Sequence, residues 1–523
     1  MFSDARATLP EVVRQLWGGL RVFGIGSQPV TLARIALGGL PRHGMTVAGA
    51  IAVTAKVRGD RVALLDDRGA VTYAELGRAA DRLASALDHH RLAGPGTRVA
   101  VICHDDRDLF IAAAAAGLVG AQVAQLSPRM GQAAFDAWLA GSEVELILHA
   151  PGSAFSLDVG PDGSENPRSG YRGPTVATSE FPALIATTPA GHRVPARARE
   201  SASVMVTSGT TGVPKGVAIG RRASQPLAAF ALAGATRIRP GAPTLVWPPL
   251  HHGYGLAAAM LCLVVGSPVV TASALPRLSL ADGAGDAALA AVRRYGVEVV
   301  FGVPAQLRAL AGALARDPAP APRLRAVLSG SDLLDQATVT TLQEAVGPVL
   351  ANFYGSTEAG TFTMATGSLV ADQGCVGRPI VGARVQIVGE DGIPVPVGVP
   401  GTVRVRSLMA SVADEPGSSW LSMGDRGYLD ERGRLHILGR SGPVARLGGE
   451  FVDPTLVEKL LERHPGVAEA VVEVVPDELH GQRLVATVTP ATGHGVDPQH
   501  CRRVIGEKLG PAAVPREIIV RGI

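Results

Sequence analysis

The stretch that most constrains this chain is residues 203–220, SVMVTSGTTGVPKGVAIG, where hydroxyls and glycines precede a lysine. Apolar residues on both sides predict two buried strands joined by a polar loop. Glycines let the backbone approach a ligand closely, and converging N–H groups, hydroxyls and an ammonium attract an anion. The loop therefore predicts a polyphosphate site, and its candidate ligands are Thr207, Ser208, Gly209, Thr210, Thr211, Gly212 and Lys215.

A Walker-type loop is the first alternative, and it requires Gly-Lys-Ser/Thr at the start of a helix. Here Pro214 precedes Lys215 and Gly216 follows it, so the adjacent hydroxyl that would hold Mg²⁺ is missing. An ordinary solvent-facing turn is the second alternative, because Ser, Thr and Gly favour turns. Against it, the string TSGTTGVPKG resembles the phosphate-binding signature of the adenylate-forming enzymes, which include acyl-CoA synthetases, aryl-CoA ligases, luciferases and peptide-synthetase adenylation domains.

A second motif, NFYGSTEAG at 352–360, brings together an aromatic ring, a tight glycine, a hydroxyl and a carboxylate. Tyr354 can offer a flat surface to a base, and Glu358 a hard oxygen ligand to Mg²⁺. By itself the motif could be a chance turn. Its YGSTE core is similar to the second motif of the same family, which implies that Gly355 lies at the nucleotide, that Thr357 contacts the α-phosphate, and that Glu358 holds Mg²⁺ together with Thr207.

The same resemblance implies roles at four further places. PLHHGYG resembles the segment that lines the acyl pocket, with His252 at the family's histidine, although adjacent histidines are more often ordinary polar groups. Gly330 and Ser331 match the adenine-side segment, where Asp332 replaces a small neutral residue. In MGDRGYLDERGRLHILGR, Asp425 and Arg440 match the residues that bind the ribose and phosphate. A turn aspartate and a surface arginine are the alternatives at these two positions.

The pattern of elements predicts an α/β fold with parallel sheets. Arg98–Cys103 and Ala121–Leu126 have the apolar pattern of strands, and the alanine-rich stretch Arg107–Gly117 between them that of a helix, as in a layered parallel sheet. Thr72, with Glu75 three residues on, predicts a capping box at a helix start. Residues 377–406 resemble the small β-barrel subdomain of the family.

We expect three units along the chain: an amphipathic N-terminal extension at 1–45, an AMP-binding N-terminal domain at 46–440, and a small mobile α+β lid at 441–523. In the extension, apolar residues from Leu9 to Val22 follow helical spacing, with Arg14 and Arg21 among them. This helix either packs its apolar face on the body or contacts a membrane surface. In the lid, Gly448 and Gly449 match the family loop that enters the site for thioester formation.

The sequence ends at VPREIIVRGI, before the position of the Gly-Lys loop that closes the lid in the family. The lysine of that loop stabilises charge during adenylation, and Lys508 lies too far upstream to take its place. Loss of such a donor commonly lowers the rate by about 10²–10³. On this reading we expect weak adenylation, with the thioester step retained.

Composition excludes several classes. A formal net charge of +3 is too small to favour nucleic acid. The four cysteines are far apart in sequence, which favours neither a disulfide framework nor a zinc site, and a reducing cytoplasm is the simplest compartment. No signal peptide is recognisable, and the apolar stretch 256–270 is interrupted by Gly266 and Pro268, so it reads as buried core.

The leading prediction is an ATP-dependent acyl-CoA synthetase of the fatty-acid type, using ATP, Mg²⁺ and coenzyme A. Two alternatives stay open: a ligase that passes the acyl-adenylate to a carrier protein, and a catalytically impaired binder of ATP or acyl-adenylate. We expect a cytoplasmic protein that can be peripheral at a membrane. Acyl chain length and oligomeric state cannot be read from these residues.

Overall fold

The computed structural model describes most of the chain. The described residues are 4–22, 46–152, 171, 173–194, 203–207, 215–219, 232–276, 280, 283–317, 319–332, 334–372, 374–410, 420–440, 445–447, 450–464, 466–477, 481–491 and 495–521.

Helices and strands alternate over the first 350 residues, as the sequence predicts. The helices are α1 (Leu9–Val22), α2 (Val47–Arg58), α3 (Tyr73–His89), α4 (Arg107–Leu118), α5 (Gln132–Ser142), α6 (Phe181–Ala186), α7 (Gly253–Val265), α8 (Ala284–Tyr295), α9 (Pro304–Arg316), α10 (Gln336–Val346), α11 (Pro454–Glu462) and α12 (Pro498–Leu509). The strands up to that point are β1 (Asp4–Arg6), β2 (Val62–Asp66), β3 (Gly69–Thr72), β4 (Arg98–Ile102), β5 (Gln122–Gln125), β6 (Leu146–His149), β7 (Thr175–Ala177), β8 (Ser203–Thr207), β9 (Lys215–Ile219), β10 (Thr244–Val246), β11 (Val269–Thr271), β12 (Val299–Gly302) and β13 (Ala326–Gly330).

The later strands form the second half of the large sheet and the C-terminal portion. They are β14 (Leu350–Ser356), β15 (Gly360–Thr366), β16 (Cys375–Pro379), β17 (Ala383–Val388), β18 (Gly401–Ser407), β19 (Leu421–Leu429), β20 (Leu435–Arg440), β21 (Ala445–Leu447), β22 (Glu450–Val452), β23 (Val467–Asp477), β24 (Gly481–Pro490) and β25 (Glu517–Val520).

Two sheets with helices between them form the large domain. The smaller sheet has the order β7-β6-β4-β5-β8-β9, and the larger β1-β17-β18-β19-β20-β16-β15-β14-β13-β12-β10-β11-β2-β3. Strands β10 to β14 pair in parallel within the larger sheet, as do β4 to β8 within the smaller. One apolar core joins Val99 and Val123 of the smaller sheet to Phe301 and Phe353 of the larger, with helix residues such as Phe110 between them. The expected layered α/β architecture is thereby confirmed.

Both hydrogen bonds of the predicted capping box are present at the start of α3. The Thr72 backbone N–H donates to Glu75 Oε2 at 2.8 Å, and the Glu75 N–H donates to Thr72 Oγ1 at 3.2 Å. Each side chain satisfies a backbone donor that the first helical turn leaves without a partner. The helix start was therefore predictable from four residues of sequence.

The barrel strands are not a separate sheet. Antiparallel strands β15 to β20 continue the hydrogen bonding of the parallel strands and enclose their own core, which includes Phe362, Val385 and Val403. The first described residues also join this sheet, because Asp4–Arg6 pairs antiparallel with β17. The N-terminal segment is thus tied to the barrel strands at its beginning.

The C-terminal portion has its own core. Strands β23, β24 and β25 form one sheet, β21 and β22 a hairpin, and Val457, Leu484 and Ile505 pack together with the two helices. Helix α12 lies so close to α5 of the large domain that a Cβ on Gly131 would come within 2.7 Å of the Glu507 carbonyl oxygen. This contact holds the smaller domain against the larger one.

Residues 151–200 are rich in Gly, Pro, Ser and Arg and lack periodicity, which predicts an irregular surface segment. The structure differs there, because Thr175–Ala177 adds a parallel strand to β6, and Phe181 at the start of α6 is buried. The sequence also predicts a helix at 222–234, which lies largely outside the described residues. No described helix has both the length and the apolar character needed to cross a membrane.

Candidate functional site

The site is centred on Tyr354 and Asp425, which come from different parts of the chain. The Tyr354 hydroxyl donates a hydrogen bond to Asp425 Oδ2. Asp425 is only 9% exposed, and the pairing of β19 with β20 places it directly opposite Arg440. The Tyr354 ring is held edge-on by Phe362, with ring centroids 4.8 Å apart. Three residues that the sequence assigned to the nucleotide are therefore neighbours.

A local irregularity positions the Tyr354 motif. The register between β14 and β15 shifts between Tyr354 and Gly355, and a Cβ on Gly355 would overlap the Gly360 carbonyl oxygen. Only glycine fits this close crossing, because other residues carry a Cβ. The following turn presents Thr357 and Glu358, and the Ala359 N–H donates to Ser356 Oγ at 3.1 Å to close it. The glycine and the turn thus end the paired strand at Ser356 and place Thr357 and Glu358 in the turn that follows.

The end of β13 lies beside the Tyr354 strand. Gly330 is the parallel partner of Phe353, and Ser331 follows it with φ at +75°, in the left-handed region. A non-glycine residue in that region is strained, and such strain concentrates at functional sites. A Cβ on Gly330 would meet the Tyr254 ring at 3.0 Å. Gly330 is thus tightly packed against Tyr254, and the backbone changes direction at Ser331.

Tyr254 supports this corner from the PLHHGYG segment. Its hydroxyl donates to the Leu328 carbonyl oxygen at 2.8 Å, and its ring lies edge-on to Phe301. Burial raises the pKa of the Tyr254 hydroxyl well above its usual value, so it stays a donor. Through this contact the segment that carries His252 is fastened to the strand that carries Gly330.

The two histidines of that segment have different surroundings. His252 precedes α7 as its N-cap residue, whereas His251 is buried at 8% exposure. The ring centroids are 4.4 Å apart. Burial, with further contributions from His252 and Arg129, holds the pKa of His251 well below its usual value. His251 is therefore neutral at pH 7, and its buried Nδ1 has no hydrogen-bond partner among the described residues.

Asp105, at the end of β4, reaches this segment from the other sheet. Its Oδ1 accepts a hydrogen bond from the Leu250 N–H at 2.8 Å. Burial raises the pKa of the carboxyl to about 6, while the Leu250 hydrogen bond and Arg129 act in the opposite direction. The carboxylate thus fastens the backbone two residues before His252 to the smaller sheet.

Sequence reasoning missed three of these features. Tyr254 stood inside a quoted motif, and its distance from Leu328 in sequence hid the contact. Asp105 belongs to the polar run HDDRD, in which nothing distinguishes one carboxylate from the next. The left-handed conformation of Ser331 has no signal in a sequence, because glycine would be the expected residue there.

Of the predicted phosphate loop, the structure describes only the two end residues, Thr207 and Lys215. Thr207 and Lys215 are the last paired residues of the antiparallel strands β8 and β9. Residues 208–214, which include Ser208, Gly209, Thr210, Thr211 and Gly212, lie outside the described residues, as do Gly448 and Gly449. Their ligand roles stay predictions.

One cluster outside this site has metal-ligand chemistry. Side-chain donor atoms of Asp372, Cys375 and His436 all lie within 4.8 Å of one another. Arg434, however, forms ion pairs with Asp372 at 3.3 Å and with Asp430. Its guanidinium already compensates the negative charge that would attract a cation, so we assign no metal there.

The layered two-sheet domain, the Tyr354–Asp425 site and the small C-terminal domain together define an adenylate-forming enzyme. The chain belongs to the AMP-binding enzyme family. The family model matches residues 51–412, and the model of the AMP-binding enzyme C-terminal domain matches residues 456–522.

Individual relatives span most of this chain. Feruloyl-CoA synthase from an Amycolatopsis species is 28% identical over 519 residues, 95% of each protein. Fatty acid--[acyl-carrier-protein] ligase ScoC from Streptomyces coeruleorubidus is 28% identical over 483 residues, 87% of this chain and 88% of that one. The solved structure of the amide bond synthetase McbA from Marinactinospora thermotolerans superposes with a TM-score of 0.74 at 26% identity, covering 91% of this chain and 95% of that one.

Proposed function

We propose that this protein is an ATP-dependent acid–CoA ligase. The acid carboxylate attacks the α-phosphorus of ATP, pyrophosphate leaves, and an acyl-adenylate forms. The thiol of coenzyme A then attacks the acyl carbon and releases AMP, giving an acyl-CoA thioester. Membership in the AMP-binding family and a relative named as a CoA synthase support this assignment.

The observation that carries the proposal is the hydrogen bond between Tyr354 and Asp425. An aromatic ring and a buried carboxylate in contact suit an adenosine, because the ring can cover the base while the carboxylate accepts from ribose hydroxyls. A carboxylate has about four acceptor positions, so one carboxylate can accept from a phenol and from a sugar hydroxyl together. Gly330 and Ser331 would border the base, and Arg440 would contact the ribose or a phosphate.

The triphosphate would lie between the two motifs TSGTTGVPKG and YGSTE. Lys215, Thr357 and the loop 208–212 would bind its phosphates, and Glu358 with Thr207 would hold Mg²⁺. Carboxylate and hydroxyl oxygens are the hard ligands that this ion prefers, and Glu358 lies half-buried in a turn. Bound Mg²⁺ would neutralise charge on the phosphates.

The acid substrate would lie against the segment of His252. Helix α7, which follows it, is apolar throughout its length, GYGLAAAMLCLVV. We propose a fatty acid on this ground, with His252 as a wall or gate of its pocket. Feruloyl-CoA synthase and ScoC are named for different acids, so the test uses carboxylic acids of increasing length together with aromatic ones.

The acceptor has a second candidate. ScoC is named for transfer to an acyl-carrier protein, which favours the alternative that this chain also delivers to a carrier. Coenzyme A remains our first proposal, with Gly448 and Gly449 in the loop that would admit its pantetheine arm. Comparing coenzyme A with a phosphopantetheinylated carrier protein as acceptors distinguishes the two.

The decisive experiment is acid-dependent ATP–pyrophosphate exchange in Asp425→Ala. A hydrogen bond to a charged group is worth about 1.5–3 kcal/mol, so we expect ATP affinity to fall by about 10- to 150-fold. Tyr354→Phe should have a smaller effect, because the ring remains. Asp391→Ala, which removes an exposed carboxylate on the barrel, is the control. Undiminished exchange and ATP affinity in Asp425→Ala would contradict the assignment of the site.

A further inference from the structure

Helix α1 packs on the body through its polar side. Glu11 Oε1 accepts from Arg378 Nη1 at 2.7 Å, and Gln15 Oε1 accepts from the Val381 N–H at 2.9 Å. Glu11 is 8% exposed and Gln15 also 8%. A helix of a globular protein usually buries its apolar stripe, so this orientation reverses the common one.

A close backbone contact fixes that orientation. A Cβ on Gly18 would come within 3.0 Å of the Gly234 Cα, and one on Gly234 would overlap the α1 backbone. The two glycines let the helix lie directly against the segment 232–236. Rotating α1 to bury its apolar side would break the Glu11 ion pair and move a face with larger side chains into this contact.

The outward side is apolar. Leu9, Val13 and Trp17 are 76%, 58% and 56% exposed, and their spacing of four residues places them in one row along the helix. Val12, Leu16 and Leu20 widen the row and are half-buried. Isolated exposed apolar residues are common, but a continuous row on one element marks an interaction surface.

The charge beside the row is positive. Arg14 and Arg21 are exposed, and the Arg21 guanidinium carbon lies 5.7 Å from the centroid of the Trp17 ring. The single acid of α1, Glu11, is buried in its ion pair with Arg378. The outer face of the helix therefore presents leucine, valine, tryptophan and arginine without an opposing carboxylate of its own.

We propose that the outer face of α1, defined by Leu9, Val13, Trp17, Arg14 and Arg21, binds the surface of a bilayer that contains anionic lipid. The apolar row would enter the boundary between headgroups and acyl chains, with the arginines at the lipid phosphates and tryptophan at the interface. From Leu9 to Trp17 the row extends only about 12 Å, and on a helix about 10 Å wide it covers about 120 Å², far short of the roughly 800 Å² that each partner buries in a stable protein complex. A lipid surface, by contrast, accepts a single helix face.

The test is co-flotation of the full chain with large unilamellar vesicles. We expect binding to vesicles of phosphatidylcholine with about a third phosphatidylglycerol, little binding to phosphatidylcholine alone, and weakening by salt. Val13→Ser/Trp17→Ser should lower the partition coefficient by about tenfold or more, since it removes two apolar anchors. Ile393→Ser/Leu438→Ser, at residues 58% and 57% exposed between β17 and β18 and on β20, should leave it unchanged.

Two further variants separate the contributions. Arg14→Glu/Arg21→Glu should abolish the preference for anionic vesicles, and it changes only exposed residues. Trp17→Phe should retain binding but lose the quenching of tryptophan fluorescence by brominated lipids. Equal flotation of all variants, or none of the native chain, overturns the proposal. So does a dimer that Val13→Ser/Trp17→Ser dissociates, because the face would then belong to a second copy of the chain.

Discussion

Replacing Asp105 by asparagine should stabilise this protein at neutral pH. The Asp105 carboxylate accepts from the Leu250 N–H at 2.8 Å, and an asparagine Oδ1 can accept the same bond. Burial raises the pKa of the carboxyl from 3.8 to about 6, which means that the folded protein disfavours the charge it carries at pH 7. The substitution removes that charge and keeps the geometry.

The magnitude follows from the displaced pKa. A pKa of about 6 against 3.8 is about two units, which corresponds to at most about 3 kcal/mol. Asp105 is partly accessible to water, so we expect about 1–2 kcal/mol. For a domain of this size each kcal/mol moves Tm by roughly 1 °C. The expected gain is therefore about 1–2 °C.

The size of the Tm difference between Asp105→Asn and the native chain depends on pH. Because the folded pKa is raised, the stability linked to protonated Asp105 is complete below pH 3.8 and is lost as the pH rises through about 6. Asparagine does not titrate. The Tm of Asp105→Asn minus that of the native chain should thus be positive at pH 7.5, shrink below pH 6, and approach zero near pH 4.

Differential scanning fluorimetry between pH 4.5 and 8 measures this difference. Glu390→Gln, which removes an exposed acid on the barrel, should give a difference near zero throughout. A lower Tm for Asp105→Asn at pH 7.5, or a difference that does not change between pH 5 and 8, would refute the reasoning. Either result would mean that the charge on Asp105 is compensated in the fold.

Two further predictions concern backbone geometry. Ser331→Gly should relieve about 0.5–1 kcal/mol of strain in the left-handed backbone and so raise Tm slightly, whereas Ser331→Val should lower Tm. Thermal melts that show the reverse order would exclude strain at this position. Gly131→Val should separate α12 from α5 and speed amide hydrogen exchange in residues 498–509. Gly141→Val is the control, because a Cβ there would meet nothing within 4 Å. Equal exchange in both variants would show that the contact between the two helices is dispensable.

The sequence was informative where a short stretch carries its own chemistry. The capping box of Thr72 and Glu75 and the Tyr354 motif needed only a few neighbouring residues to be read. The alternation of apolar and helical segments predicted a layered fold with parallel strands, and the family of the chain followed from two motifs. The phosphate loop itself remains a prediction, since residues 208–214 lie outside those described.

Helix α1 shows where sequence reasoning stops. Its periodicity determined that a helix forms and that one side is apolar. Periodicity does not determine which of the two sides faces the body. Arg378, Val381 and Gly234 decided that question, because their polar and close-packed contacts with Glu11, Gln15 and Gly18 come from segments more than two hundred residues away.

The same division holds at the proposed nucleotide site. Sequence by itself determined which residues have the chemistry for a nucleotide, since aromatic rings, carboxylates and glycines keep their character in any fold. Tertiary structure alone decided that Tyr354 meets Asp425, that Tyr254 supports Gly330, and that Asp105 is the carboxylate that accepts from the Leu250 N–H. Burial and proximity arise only when strands distant in sequence become neighbours, and these two quantities set hydrogen bonds and pKa values.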